Sequence, residues 1–150
     1  MNLAKASRII TSSDRATITV EEVNQLFIRA GYPSRSLSRL TLALDYSLAC
    51  ISARLLQEKT LVGFARLGGD GVFQATIWDL LVDPTLPQPE ATKHLILERL
   101  KREVKQQFPK CCISIFSLVS DQKLLYNLGF KEDEKGIKAM QFPVSTQDFG

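Results

Sequence analysis

The chain has 150 residues, of which 45% are hydrophobic and 23% are charged. That length and mixture suit one domain with its own core, and they exclude a disordered chain and a membrane-spanning helix. Lys and Arg number 19 against 16 Asp and Glu, and this formal charge of +3 is too small to predict nucleic-acid binding. The opening residues contain no signal-peptide-like apolar stretch, so we expect an intracellular, cytoplasmic protein.

The metal-ligating residues are too few for a metal centre. Three cysteines occur without C-x-x-C spacing, and His94 is the single histidine of the sequence. We therefore expect no metal site, and we expect the cysteines to be reduced thiols that pack as small apolar residues.

The first third of the chain predicts an arm, a strand and two helices. Residues 1–16 are polar and mixed and indicate an N-terminal arm, followed by a short strand over 17–20. Apolar residues at helical spacing predict a helix over 21–30, which Gly31 and the proline after it end. A similar pattern predicts a second helix over 36–44.

The middle of the chain predicts three consecutive antiparallel strands. They cover 48–57, 61–67 and a long segment from 72 that ends at Asp83-Pro84, because proline cannot continue a sheet ladder. Turn residues separate the strands, so they are expected to form a meander.

The last third begins with the longest helical pattern, at 90–108. A strand over 111–119 follows, then a short helix capped by Asp121 and a final hairpin around 134–136. The strand–helix–strand crossover forces one parallel pair into an otherwise antiparallel sheet. We therefore predict an α/β fold whose mixed, mostly antiparallel sheet has a central parallel pair flanked by helices.

Three segments together resemble one protein family: AGYPSR at 30–35, VGFARLGGDGVFQATIWDLLVDP at 62–84, and LGF followed by GIKAM at 128–140. They resemble the GNAT superfamily of acyl-CoA-dependent N-acetyltransferases over about residues 17–143. The resemblance implies the GNAT fold in one domain over 17–150. The similarity is greatest to the cyanobacterial and plastid branch, whose members acetylate protein lysines or arylalkylamines such as serotonin.

The resemblance also implies acetyl-CoA as the cofactor, bound by a glycine-rich turn that enters the long helix. Glycines let the backbone approach the pyrophosphate of CoA, which accepts hydrogen bonds from free N–H groups. In this chain the three glycine positions fall on Gln88, Glu90 and Thr92, and Lys93 matches a basic residue of the family. The sequence therefore predicts a degraded cofactor turn. Proline and glutamate here are also ordinary signals for the start of a helix.

The residues implied for chemistry are equally altered. Family enzymes carry a tyrosine that protonates the leaving thiolate, and its position here is Leu125, with Tyr126 one residue later. Asp79 is the candidate base for an amine. Main-chain groups at Leu81 and Val82 are expected to contact the pantetheine arm.

These losses favour a degenerate GNAT-fold protein, a pseudoenzyme with lost or weak acetyl-CoA use that binds a protein partner or a small ligand in a regulatory role. The alternative is an active N-acetyltransferase that acts on a protein lysine or a small amine. A partner would meet the basic outer face of the long helix, at Arg99, Arg102 and Lys105, or the cleft between the parallel strands. The family branch suggests a photosynthesis-linked partner and a plastid-stroma equivalent of the cytoplasm. Nucleic-acid binding is not expected, because acidic residues interrupt the basic helix face.

Overall fold

The computed structural model describes residues 8–143. The strands are β1 Ile9–Ser12, β2 Ala49–Leu55, β3 Leu61–Gly69, β4 Gln74–Val82 and β5 Cys112–Ile115. The helices are α1 Val20–Arg29, α2 Leu37–Asp45, α3 Pro89–Gln107 and α4 Gln122–Asn127, with short 3-10 helices at Arg15–Thr17 and Val119–Asp121.

The five strands form one sheet in the order β1-β2-β3-β4-β5. The first three pairs are antiparallel, and β4 pairs with β5 in parallel. The chain crosses from β4 to β5 through α3, as a parallel connection requires. The predicted meander, the crossover and the mixed sheet are confirmed.

The two faces of the sheet carry separate cores. Helices α1 and α2 cover one face, where the buried side chains include Phe27, Leu44 and Phe64. Helix α3 crosses the other face over β1 to β4, and its buried stripe includes Ile96, Leu97 and Leu100. Burying one apolar face of each helix on the sheet supplies the main favourable free energy of the fold.

The first strand lies earlier than predicted. Ile9 pairs with Leu55, so β1 lies inside the segment predicted as a polar arm, and residues 1–7 of that arm lie outside the described residues. The strand predicted over 17–20 is wrong. Thr19 is the N-cap of α1, and its side chain and that of Glu22 form a capping box by bonding each other's backbone N–H.

The hairpin predicted around 134–136 is also wrong, because no strand lies between 131 and 143 in the described structure. Residues 131–135 are all charged and offer no apolar face to a sheet. Gly136 N–H closes a simple turn on the carbonyl of Asp133, at 3.2 Å. Ile137, Met140 and Phe142 beyond it are 74%, 92% and 91% exposed.

A polar network fixes the end of β4 and hence the loop that enters α3. Asp83 accepts hydrogen bonds from Arg29 Nε at 2.9 Å and from the backbone and hydroxyl of Thr85. Arg29 also donates to the carbonyl of Leu61 at 2.7 Å, which ties α1 to β3. Burial acts to raise the pKa of Asp83, but the bonds from Thr85 and the charge of Arg29 outweigh it and lower that pKa.

Candidate functional site

Strands β4 and β5 separate after a short paired stretch. Their pairing runs from Gln74 and Cys112 to Ile77 and Ile115, whereas β4 continues to Val82. Beyond Ile77 the edge of β4 that faces β5 therefore has no strand partner within residues 8–143. Unpaired backbone groups at such an edge can hydrogen-bond an extended ligand.

The side chains of Leu81 and Val82 are not available to a ligand in this cleft. Both are buried, and they belong to cores on opposite faces of the sheet. Only their main-chain atoms could contact a ligand, as expected for a pantetheine arm. Trp78 and Phe116 lie where the two strands part, with their rings edge to face and 5.3 Å between centroids.

A β-bulge at Asp79 reshapes this part of β4. Phe64 pairs with Leu81 and Arg66 pairs with Trp78, so two β4 residues stand opposite one β3 residue. Asp79 has φ of +54°, in the left-handed region that non-glycine residues rarely occupy. Strain of this kind persists only where the surroundings enforce it, and it concentrates at functional sites.

The carboxylate of Asp79 is paired with Arg66, whose Nε donates to Oδ2 at 2.6 Å. Both side chains are largely buried and line a pocket of about 400 Å³ on the α1–α2 face of the sheet. The other walls come from the helices and their connection: Phe27, Pro33, Ser34, Arg35, Ser36, Arg39, Leu40 and Ala43. Asp79 thus lies at a pocket wall, but its carboxylate already accepts a charged hydrogen bond.

The first turn of α3 offers few donors. Its first residue, Pro89, has no N–H, and Gln88 precedes it without a side-chain capping bond to the described residues. The N–H of Thr92 is already bonded to the carbonyl of Gln88 at 3.3 Å. The backbone donors left in the turn are therefore those of Glu90 and Ala91, and Glu90 carries a carboxylate.

The other two predicted cofactor residues face away from a ligand. Thr92 is 2% exposed and packs over β3, where its methyl group would lie 3.3 Å from a Cβ added to Gly63. Lys93 Nζ lies 2.7 Å from Asp121 Oδ1 and 3.6 Å from Glu90 Oε1. The ammonium that could attract a phosphate is thus already neutralised by a carboxylate at the start of α4.

The position implied for the family tyrosine holds a core residue. Leu125 is 4% exposed, and its side chain packs in the core under α3. Tyr126 is 49% exposed and its hydroxyl donates to the Glu132 carboxylate. That hydrogen bond raises the pKa of Tyr126, since ionisation would bring two negative charges together.

Asp121 makes no side-chain cap to the described part of α4, contrary to the sequence-based expectation.

The three basic residues expected on the outer face of α3 are not equivalent. Arg102 and Lys105 are exposed, as expected. Arg99 instead reaches toward β1, where its Nε bonds Glu103 at 3.1 Å and its Nη atoms bond the Thr11 carbonyl and Ser13. The outer-face prediction was therefore wrong for Arg99, because i,i+4 pairing with a buried glutamate draws it inward.

Arg66 and Asp121 are the site residues that the sequence analysis missed. One signal in the sequence could have indicated Arg66. It is a single arginine inside the apolar run of β3, and an aspartate follows thirteen residues later inside the apolar run of β4. Asp121 was interpreted as a helix cap because it precedes a helix, and its contact with Lys93 depends on how α3 and α4 pack.

The part of the chain that the structure describes shows neither a metal-binding cluster nor a membrane-spanning helix. Residues 8–143 contain no group of three His, Cys, Asp or Glu side chains placed to hold a metal ion. Nor does this range contain a helix long and apolar enough to cross a membrane.

Comparison with solved structures shows that the fold is shared with acetyltransferases. A probable acetyltransferase from Staphylococcus aureus superposes with a TM-score of 0.76 and 22% identity over 91% of this chain and all of that one. A GNAT-family acetyltransferase from Streptococcus pneumoniae gives 0.68 and 20% identity over 93% and 99% of the two chains. At such identities the likeness concerns the fold alone.

The closer similarities in sequence are to plant and algal proteins. GCN5-related N-acetyltransferase 1, chloroplastic, of Arabidopsis thaliana is 32% identical over 83% of this chain, and Serotonin N-acetyltransferase 2, chloroplastic, of rice is 31% identical over 87%. This chain spans only 62% and 65% of the length of those two relatives.

No family model matches the sequence. The N-acetyltransferase ycf52 of the red alga Pyropia yezoensis, described as uncharacterised, is 32% identical over 85% of this chain and 74% of its own length. With nearly three quarters of that relative covered, and with a sheet that parts between β4 and β5, the chain belongs to the GCN5-related N-acetyltransferase (GNAT) superfamily.

Proposed function

We propose that this chain is a degenerate GNAT protein that uses acetyl-CoA weakly or not at all and acts by binding a protein partner or a small ligand. The observation that carries the proposal is the first turn of α3. There Pro89 lacks an N–H, Glu90 adds a carboxylate, and Lys93 is paired with Asp121.

The energetics of this turn oppose a diphosphate. Anions bind helix N-termini through free N–H groups and the positive end of the helix dipole. A carboxylate about 4 Å from a phosphate costs about 4 kcal/mol at an effective dielectric near 20 and about 1 kcal/mol in water. Because the Glu90 side chain is well exposed, the smaller value applies when it turns toward solvent. Recruiting Lys93 would leave Asp121 without its cation. The residues present therefore do not fit a pyrophosphate.

Proton delivery is impaired independently of cofactor binding. The general acid expected on α4 is replaced by the buried Leu125, and the Tyr126 hydroxyl is held by Glu132. Two separate functions of the family site are thus altered, which supports a binding role over catalysis. Candidate binding surfaces are the cleft beside β4 and the exposed Arg102 and Lys105 on α3, where a photosynthesis-linked protein would dock.

Calorimetric titration with acetyl-CoA tests the proposal. We expect no saturable heat at micromolar concentrations with the natural chain. The Q88G/E90G variant, which keeps the buried Thr92, should gain affinity because it restores backbone approach and removes the carboxylate. The control variant E98G/Q106G adds two glycines and removes one carboxylate at exposed positions of the same helix. Saturable micromolar binding by the natural chain would overturn the proposal.

A second candidate, an active N-acetyltransferase, is favoured by the open edge of β4 and the bulge at Asp79. An amine attack on a bound thioester depends mainly on proximity, so a missing acid slows the reaction without abolishing it. The relatives include a serotonin N-acetyltransferase and a protein described as a histone acetyltransferase. Serotonin and a lysine peptide, each supplied with acetyl-CoA, are therefore the substrates to assay by mass spectrometry.

A further inference from the structure

We propose that the pocket between the α1–α2 connection and strands β3 and β4 binds a small molecule that carries a carboxylate on an apolar body, held by Arg66 and Arg35. This inference rests on the proposed function, since it names the ligand class of a binding protein. It concerns a pocket on the α1–α2 face of the sheet and not the turn that enters α3.

The charge of the pocket favours an anion. Among the described lining residues, Arg35 and Arg66 provide two positive charges that face one carboxylate, Asp79. An acetyl-accepting amine becomes a cation when it is protonated, and such a wall would repel it. Coulomb interactions inside a partly enclosed pocket are stronger than in bulk water, so this imbalance discriminates between anions and cations.

Arg66 has N–H donors that no described residue accepts from. Its Nε is bonded to Asp79, and among the described residues its two Nη groups donate no hydrogen bond. The ion pair with Asp79 fixes the plane of the guanidinium, which leaves the remaining N–H groups oriented in advance. A planar guanidinium matches a carboxylate with two parallel hydrogen bonds.

Arg35 is also held in place. Its guanidinium carbon lies 4.8 Å from the ring centroid of Phe27, and its backbone N–H donates to Asn24 Oδ1 at 2.7 Å. No carboxylate of the described residues pairs with it. Ser36, the N-cap of α2, also lines the pocket and makes no side-chain capping bond within the described range.

Four other lining residues are apolar and determine which kind of ligand body fits. Phe27, Pro33, Leu40 and Ala43 contribute hydrocarbon surface to a volume of about 400 Å³. That volume lies within the range of small-molecule sites, which combine apolar walls with a few placed polar groups. An aromatic or aliphatic acid satisfies both the charge and the shape.

Three probes of nearly equal size test the charge preference: phenylacetate, neutral phenylacetamide and cationic phenethylamine, each titrated by ligand-observed NMR without acetyl-CoA. We expect phenylacetate to bind at least about tenfold more tightly than either of the others. Equal affinities, or a preference for phenethylamine, would overturn the inference.

Variants separate recognition from folding. R66Q should weaken phenylacetate binding at least tenfold and R35Q about threefold. D79N should tighten it severalfold, because the amide oxygen still accepts the bond from Arg66 Nε while the competing negative charge is removed. A merely structural role for the Arg66–Asp79 pair predicts loss of binding in both R66Q and D79N, which would contradict the inference. K110Q, at an exposed residue after α3, controls for the loss of one positive charge.

If acetyl-CoA binds the natural chain tightly, the proposed function fails whatever phenylacetate does. If neither ligand binds, only the anion inference fails.

Discussion

Lys93 and Asp121 join the first turn of α3 to the start of α4 through an ion pair of 2.7 Å whose side chains are only 15% and 9% exposed. Removing one partner of such a pair leaves the other charge poorly solvated, which costs more than losing an exposed pair.

We therefore expect D121N to lower the free energy of unfolding by about 1–3 kcal/mol, measured by urea denaturation. E98Q is the matched control, because the one ion pair of Glu98 with the described residues is an exposed contact of 3.9 Å with His94. This substitution should cost less than about 0.5 kcal/mol. Equal stabilities of D121N and E98Q would contradict this role for the pair.

Gly63 makes close packing of α3 on β3 possible. A Cβ at this position would lie 2.6 Å from Ile96 Cδ1 and 3.1 Å from Ala53 Cβ, in a fully buried region. G63A should therefore destabilise the protein by about 1–3 kcal/mol, since overpacked cores force side chains off their rotamers.

Thermal unfolding of G63A and of the double variant G63A/I96V checks this clash. Removing Ile96 Cδ1 should recover part of the loss, which is a coupling between contacting residues. G68A, in the same strand but with no described atom closer than 3.4 Å to the added Cβ, should be affected less. If the effects of G63A and I96V on stability were additive, this would contradict a direct contact between the added Cβ and Ile96 Cδ1.

The fold was predictable where residue spacing carried the information. Helices α1, α2 and α3 follow apolar stripes of helical period, and Pro84 marks the end of β4. The position of β1 could not be predicted in this way. TITV at 17–20 alternates like a strand, but Thr19 and Glu22 in fact form the capping box of α1. Local hydrogen bonding of the α1 N-terminus overrode the alternation.

The candidate site was predictable only in part. Sequence comparison within the family placed Pro89 and Glu90 at the start of α3, and the structure places them there. The Arg66–Asp79 pair depends on the bulge, which changes the face that β4 residues occupy and leaves no mark in periodicity. The partner of Lys93 depends on tertiary packing between α3 and α4.

Tyr126 should ionise at a higher pH than an ordinary tyrosine, because its hydroxyl donates to Glu132. The variant Y32F/Y46F leaves Tyr126 as the remaining tyrosine of the sequence, so its ionisation can be followed by ultraviolet absorbance. We expect its midpoint to lie above 10 and to fall when E132Q is added, since the neutral amide no longer repels the phenolate. An unchanged midpoint in E132Q would contradict the assigned hydrogen bond.

Glu103 should make the stability of the protein sensitive to acid. Burial acts to raise its pKa, but hydrogen bonds from Ser13, Arg99 and Gln107 and the charge of Arg99 outweigh burial and hold the pKa below its ordinary value of 4.5. As the pH falls, the unfolded chain takes up this proton before the folded chain does. The contribution of Glu103 is therefore complete above the unfolded pKa and is lost as the pH falls through the lower, folded pKa.

Urea unfolding of the natural chain and of E103Q, measured from pH 7 down to pH 3, tests this dependence. At pH 7 E103Q should be less stable by about 1–3 kcal/mol, because an amide replaces the charged acceptor of the Arg99 bond. The difference should shrink below pH 4.5, where the unfolded chain of the natural protein is protonated at Glu103. E98Q again serves as the control, since it removes an exposed carboxylate of the same helix. A gap between E103Q and the natural chain that stayed constant over this range would show that packing, and not the charge of Glu103, accounts for its contribution.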